Sequence, residues 1–109
     1  MVKLIIIMKR KPGLTQDEFT KYWKEVHGPL VLKIIPGIVK YVQNHRVKLN
    51  DREPAYDGIA ELWFKDLESF KHVNKWYRSD EGKVLRDDEA KFMDVGKMIN
   101  YVCEELVMK

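Results

Sequence analysis

Lys3-Leu4-Ile5-Ile6-Ile7-Met8-Lys9 places five apolar residues in a row between two lysines. Three of the five are β-branched, and the run is too short for a buried helix, so it reads as a strand spanning Val2 to Lys9. Side chains alternate along a strand, so Leu4, Ile6 and Met8 point one way while Ile5 and Ile7 point the other. A sheet with one solvated face would show polar residues at every second position. This strand shows none, so both of its faces must be covered.

A second stretch repeats the pattern. Ile59-Ala60-Glu61-Leu62-Trp63-Phe64, the centre of a strand from Tyr56 to Phe64, puts Ala60, Leu62 and Phe64 on one face and Ile59 and Trp63 on the other. Between the two strands lies a helix with a clear start. Thr15 and Glu18 form a capping box, and Phe19, Tyr22, Trp23, Val26 and Leu30 make one apolar stripe. His27 lies on that stripe. Gly28-Pro29 is expected to break or kink the helix, because proline lacks an amide and disfavours helical geometry in the residue before it.

Ile38 to Leu49 alternates as a long strand, with Tyr41, Gln43, His45 and Val47 on one face. Past Phe64, Asp66 caps a helix whose stripe is Leu67, Phe70, Val73 and Tyr77. A further helical stretch from Ser79 or Asp80 carries Val84, Leu85 and Phe92, and Met98 to Met108 reads as a last strand. The order βαββαβ, with the second helix in two pieces, is that of an α+β ferredoxin-like sandwich: a four-stranded antiparallel sheet with helices on one face. The chain of 109 residues is expected to form one domain, residues 1–109.

Helices cover only one side of such a sheet. At about 25 cal/mol per Å², leaving about 400 Å² of the other side in water forfeits about 10 kcal/mol. A domain has only about 5–15 kcal/mol of net stability. A second copy packed sheet to sheet, as a homodimer closing into a dimeric α/β barrel, is the expected solution.

Composition narrows the function classes. Hydrophobic residues make up 45% and charged residues 34% of the chain, as in a soluble globular protein. The net charge of +3 comes from 20 basic and 17 acidic residues mixed along the chain. The longest basic cluster, Lys9-Arg10-Lys11, is too short for a phosphate-binding strip. RNA-recognition modules share the βαββαβ order but need aromatic residues on the first strand, which has none here, so no nucleic-acid partner is expected. No apolar run reaches the length of a membrane span or of an export signal, and the expected location is cytoplasmic without membrane contact. Cys103 is the only cysteine, which excludes an intrachain disulfide and a thiolate zinc cluster. Phosphate loops, nucleophile elbows and paired metal-binding histidines are absent, so no cofactor and no metal are expected.

The candidate catalytic residues are His27, Tyr41 and Asp88. His27, in the last turn of an aromatic helix face, could act as acid or base near neutrality, or be a core histidine capping its own helix. Tyr41 could donate to a carbonyl or a developing enolate; its plain alternative is a core tyrosine. His45 lies about 13 Å further along the same strand face. Asp88 interrupts an apolar stripe of Val84, Leu85 and Phe92, and a buried carboxylate needs a partner. That partner could be His27, or backbone and tyrosine donors. Glu61, between Ile59 and Trp63, poses the same question. Trp23, His45, Glu61 and Trp63 are the candidate ligand-binding residues, each also readable as core or surface.

The run Thr15-Gln16-Asp17-Glu18-Phe19-Thr20-Lys21-Tyr22-Trp23, followed by Glu25-Val26-His27-Gly28-Pro29-Leu30, resembles the EthD-domain family of the dimeric α/β barrel superfamily. Tyr41-Val42-Gln43-Asn44-His45 looks like that family's second strand, Tyr56 to Phe64 its third, and Asp88-Glu89 with Phe92 and Asp94 its last helix. The resemblance implies a dimer with a cleft for small, largely apolar or aromatic ligands. Its relatives include cofactor-free isomerases, cyclases, decarboxylases and monooxygenases, so two roles are expected: a cofactor-independent enzyme of isomerase, cyclase, lyase or monooxygenase type using His27 for proton transfer, or a non-catalytic ligand-binding or carrier dimer.

Overall fold

A computed structural model describes residues 1–109. The apolar runs form the two central strands of one sheet. Strand β1 (Val2–Met8) pairs antiparallel with β3 (Gly58–Phe64) on one side and with β4 (Ile99–Cys103) on the other, while β2 (Ile38–His45) pairs with the outer edge of β3. The strand order is β2-β3-β1-β4, the ferredoxin-like arrangement expected from the element order.

Two strands are shorter than their alternation suggests. β2 stops at His45, paired with Gly58, because the next partner residue, Asp57, turns out of the ladder. Asp57 accepts hydrogen bonds from the Arg10 backbone amide and guanidinium, and its own amide is bonded to the Met8 carbonyl. β4 ends at Cys103, opposite Lys3, where β1 is about to begin. An alternating pattern marks a strand only as far as a neighbour exists to pair with it.

The helices are α1 (Gln16–Tyr22), α2 (Gly28–Ile34), α3 (Leu67–Arg78) and α4 (Lys83–Phe92). The Thr15–Glu18 capping box opens α1 and Asp66 caps α3. The expected break at Gly28-Pro29 does not occur. A π-helical turn, Trp23–His27, joins α1 to α2 and carries the chain through it. In that wider turn the Gly28 amide reaches the Trp23 carbonyl, five residues back. The hydrogen-bond register is thereby reset, and Pro29 falls in the opening turn of α2, where a missing amide is tolerated. Gly28, without a Cβ, avoids much of the clash with the proline ring.

The helices cover the sheet face that carries Leu4, Ile6 and Met8 of β1 and Ala60, Leu62 and Phe64 of β3. Phe19, Trp23, Phe64 and Phe92 are fully buried at the centre of the core. Val84, expected on the inner stripe of α4, faces outward instead. The other sheet face carries Ile5, Ile7, Val42, Ile59, Trp63, Ile99 and Tyr101 in register. In the single chain Ile59 is 38%, Ile99 43% and Tyr101 62% exposed.

Candidate functional site

Between the helices and the inner sheet face lies a cavity of about 300 Å³, lined mostly by apolar side chains. The π-helical turn and α2 present Trp23, His27 and Val31 to it, and β2 presents Tyr41. Extra width in a π turn changes the direction of the residues it contains, and such turns recur at functional sites. Here the turn contains His27.

His27 and Asp88 meet. The imidazole Nδ1 is 2.8 Å from Asp88 Oδ2, and the Tyr22 hydroxyl donates to Asp88 Oδ1 at 2.5 Å. Both expected kinds of partner therefore converge on one carboxylate. His27 and Asp88 are each 5% exposed, and the Phe92 ring packs 4.8 Å from the imidazole centroid. Burial pushes the imidazole's proton affinity below its ordinary value, and the Asp88 carboxylate opposes that only in part. At neutral pH the ring is uncharged, with its one proton on Nδ1, donated to Asp88. Nε2 then carries a lone pair and has no protein partner. No fully enclosed side-chain nitrogen or oxygen in the protein lacks a partner, so Nε2 is not sealed off, and His27 itself lines the cavity.

Tyr41 and His45 do not act separately. Gln43, between them on the same face, donates to the Tyr41 hydroxyl at 2.9 Å and to the Trp23 carbonyl at 3.0 Å, and its Oε1 is 2.8 Å from His45 Nε2. Gly28 makes this possible: a Cβ there would lie 2.6 Å from Gln43 Nε2. Since the Tyr41 oxygen accepts from Gln43, its own proton remains free for a ligand oxygen. Burial raises the Tyr41 pKa, keeping that proton in place at neutral pH. His45 lies over Trp23, with ring centroids 4.5 Å apart. Burial, with the nearby Lys24 charge, lowers its pKa. Trp23 in turn fits against the sheet because Gly58 is bare; a Cβ there would lie 2.7 Å from the indole.

Glu61 and Trp63 are not brought to this site. Both lie on the opposite sheet face. Trp63 is covered by the Lys3 and Lys40 ammonium groups at 4.9 and 4.7 Å from its ring centroid, and Glu61 is 4.0 Å from Lys3.

Four participants were not singled out from the sequence: Tyr22, Gln43, Tyr77 and Glu89. Glu89 lines the cavity, is 5% exposed, and accepts a hydrogen bond from the Tyr77 hydroxyl. It sits four residues after Leu85 and three before Phe92, the same signal that drew notice to its neighbour Asp88. No group of three His, Cys, Asp or Glu side chains is arranged to hold a metal ion. No helix is long and apolar enough to cross a membrane.

Comparison with known proteins gives this arrangement a context. The EthD domain profile matches residues 11–96. The dehydratase aurZ of Gibberella zeae is 31% identical over 84 residues, covering 64% of this chain and 55% of that protein. This chain thus spans about half the length of that relative. The conidial pigment biosynthesis dehydratase EthD of Metarhizium robertsii is 29% identical over 108 residues, covering 86% of this chain and 75% of that one. Among solved structures, an EthD family protein from Bacillus halodurans superposes with a TM-score of 0.72 at 27% identity, covering 97% of this chain and 99% of that one. A dimeric protein of unknown function and ferredoxin-like fold from Bacteroides fragilis superposes with a TM-score of 0.65 at 13% identity, covering 95% of each chain.

Proposed function

Because this chain belongs to the EthD-domain family, we propose that it is a lyase of the dehydratase type, working as a homodimer on small, largely apolar ring compounds. The observation that carries this reading is the His27–Asp88 pair, with Nδ1 held at 2.8 Å and Nε2 left without a protein partner in a residue that lines an apolar cavity. A neutral imidazole so held is a base with one free lone pair in a place that excludes most water. Asp88 is a positioning residue: it selects the tautomer and stabilises the imidazolium that forms. Tyr41 has a hydroxyl proton to donate to a carbonyl oxygen as negative charge develops there.

Those two groups suit removal of a proton beside a carbonyl, the opening step in eliminating water from a β-hydroxy ketone. Elimination is redox-neutral and consumes no co-reactant. The names of the two fungal relatives support dehydration over the isomerase, cyclase and monooxygenase chemistries. The apolar outer sheet face, with Ile59, Ile99 and Tyr101 exposed in the single chain, supports self-association. The dimeric state named for the Bacteroides fragilis neighbour points the same way.

The full chain should convert a β-hydroxytetralone, a two-ring ketone of suitable size, to the fluorescent naphthol. His27→Ala should lower turnover by about 10²- to 10⁴-fold. Binding of the naphthol with no conversion by the wild-type chain would instead make the protein a carrier.

A further inference from the structure

Asp88 and Glu89 are consecutive buried carboxyls on α4 that face different partners. Asp88 is occupied by His27 and Tyr22. Glu89 turns to Tyr77 of α3 and to the cavity wall, which also holds Asn74, Arg78 and Asn100. The Tyr77 hydroxyl takes Oε1. The other oxygen, Oε2, has no donor, and since no enclosed side-chain oxygen lacks a partner, it is not sealed off, in a residue that lines the cavity. The wall of one cavity of about 300 Å³ therefore includes two residues with an unpartnered proton-accepting atom, His27 with Nε2 and Glu89 with Oε2, beside the Tyr41 hydroxyl.

The geometry points to Glu89 as a second catalytic residue, the acid that protonates the departing hydroxyl of a ring β-hydroxy ketone while His27 acts as base. This rests on the dehydratase reading and deepens it. His27 Nε2 takes a proton from the carbon beside the carbonyl, and the electron pair of that C–H bond becomes the new C=C bond. The C–O bond to the β-hydroxyl breaks with its pair going to oxygen, which takes the carboxylic proton of Glu89 and leaves as water. Glu89 ends as a carboxylate and His27 as an imidazolium; net return of one proton from the ring to the carboxylate restores both.

The surroundings of Glu89 fit an acid. Burial pushes its pKa up, the Tyr77 hydrogen bond pulls it down, the Asp88 charge raises it and the Arg86 charge lowers it; it settles at about 7. The His27 imidazole, the Tyr41 and Tyr77 phenols and the Arg78 guanidinium are the other titratable groups on the cavity wall. A carboxyl poised there keeps its proton in a substantial share of molecules at neutral pH and can give it up.

The test compares two probes, a β-hydroxytetralone and its acetate ester, because acetate departs without needing a proton. Glu89→Gln should slow elimination from the alcohol about 10²- to 10⁴-fold yet leave the acetate within about threefold of wild type, whereas His27→Ala slows both. Tyr77→Phe, which removes the hydrogen bond that favours the Glu89 carboxylate, should move the alkaline limb of the alcohol pH–rate profile to higher pH. That second variant carries the test if Glu89→Gln fails to fold by circular dichroism. A Glu89→Gln chain that treats the alcohol like wild type, or that loses both probes equally, overturns the acid role and leaves the His27 reading standing. A wild-type chain that converts neither probe overturns both.

Discussion

Asp88 Oδ2 lies 2.8 Å from His27 Nδ1, joining residues sixty-one positions apart on two helices that share no backbone pairing. The contact decides which imidazole nitrogen keeps its proton, and so which one carries the lone pair. Asp88→Asn removes the charge but keeps the shape. Turnover should fall about 10²- to 10⁴-fold. The His27 pKa, already below its ordinary value, should drop further, since the Asp88 carboxylate is what holds it up. Imidazole proton shifts followed by NMR across pH measure this directly; an unmoved titration would remove Asp88 from the pair.

Gln43 makes a separable prediction. Gly28→Ala would place a Cβ 2.6 Å from Gln43 Nε2 and push that amide off the Tyr41 hydroxyl and the Trp23 carbonyl. Alanine is favoured over glycine inside a helix by about 0.5–1 kcal/mol, which offsets part of the strain, so urea unfolding should change by no more than about 1 kcal/mol. Turnover should nevertheless fall, and Gln43→Ala should reproduce the loss. Loss of activity in Gly28→Ala with none in Gln43→Ala would separate the two residues.

Much of this was legible in the chain itself, and the exceptions have physical causes. An apolar run with no polar phase, as in Leu4 to Met8, announces a central strand of the sheet, and β1 lies between β3 and β4. Asp88 was conspicuous because a carboxyl on a helical stripe needs a partner, and the structure supplies two. Glu89 escaped because a helix stripe is wide enough to hold adjacent residues, and periodicity does not rank them. Glu61 and Trp63 lie on the far side of the sheet from the pocket, and alternation divides a strand into two faces without saying which one the helices cover. The proline rule concerns α geometry, so a π turn that shifts the register by one residue lies outside it. His45 and Tyr41 shared a face by sequence, but only the fold placed Gln43 as the bridge between them.

The outer sheet face makes an assembly prediction. Ile59 and Tyr101 belong to different strands flanking β1 and are 38% and 62% exposed in the single chain. If a second copy covers them, sedimentation at micromolar concentration should give twice the chain mass of 13.0 kDa. The double substitution Ile59→Lys and Tyr101→Lys would bury two unpaired charges at such an interface, and self-association should weaken by at least about tenfold. A wild-type chain that sediments as a monomer would leave the apolar face without its proposed cover.

The two cavity groups should give stability opposite dependences on pH. Glu89 has its pKa raised from 4.5 to about 7 in the fold, so between those values the native state holds more protons than the unfolded chain. Its contribution is therefore complete below pH 4.5 and is lost as the pH rises through about 7; a shift of that size corresponds to about 3 kcal/mol. His27 is the reverse case. Its folded pKa lies below the ordinary 6.5, so the unfolded chain protonates first and stability falls as the pH drops through 6.5. Urea unfolding at pH 5 and pH 8 separates the two. Glu89→Gln, which cannot ionise, should lose the Glu89 share of that dependence and keep the His27 share, so its stability relative to wild type should rise with pH. Parallel pH curves for the two chains would mean that the Glu89 carboxyl titrates as it does in water, and that the cavity does not hold its proton.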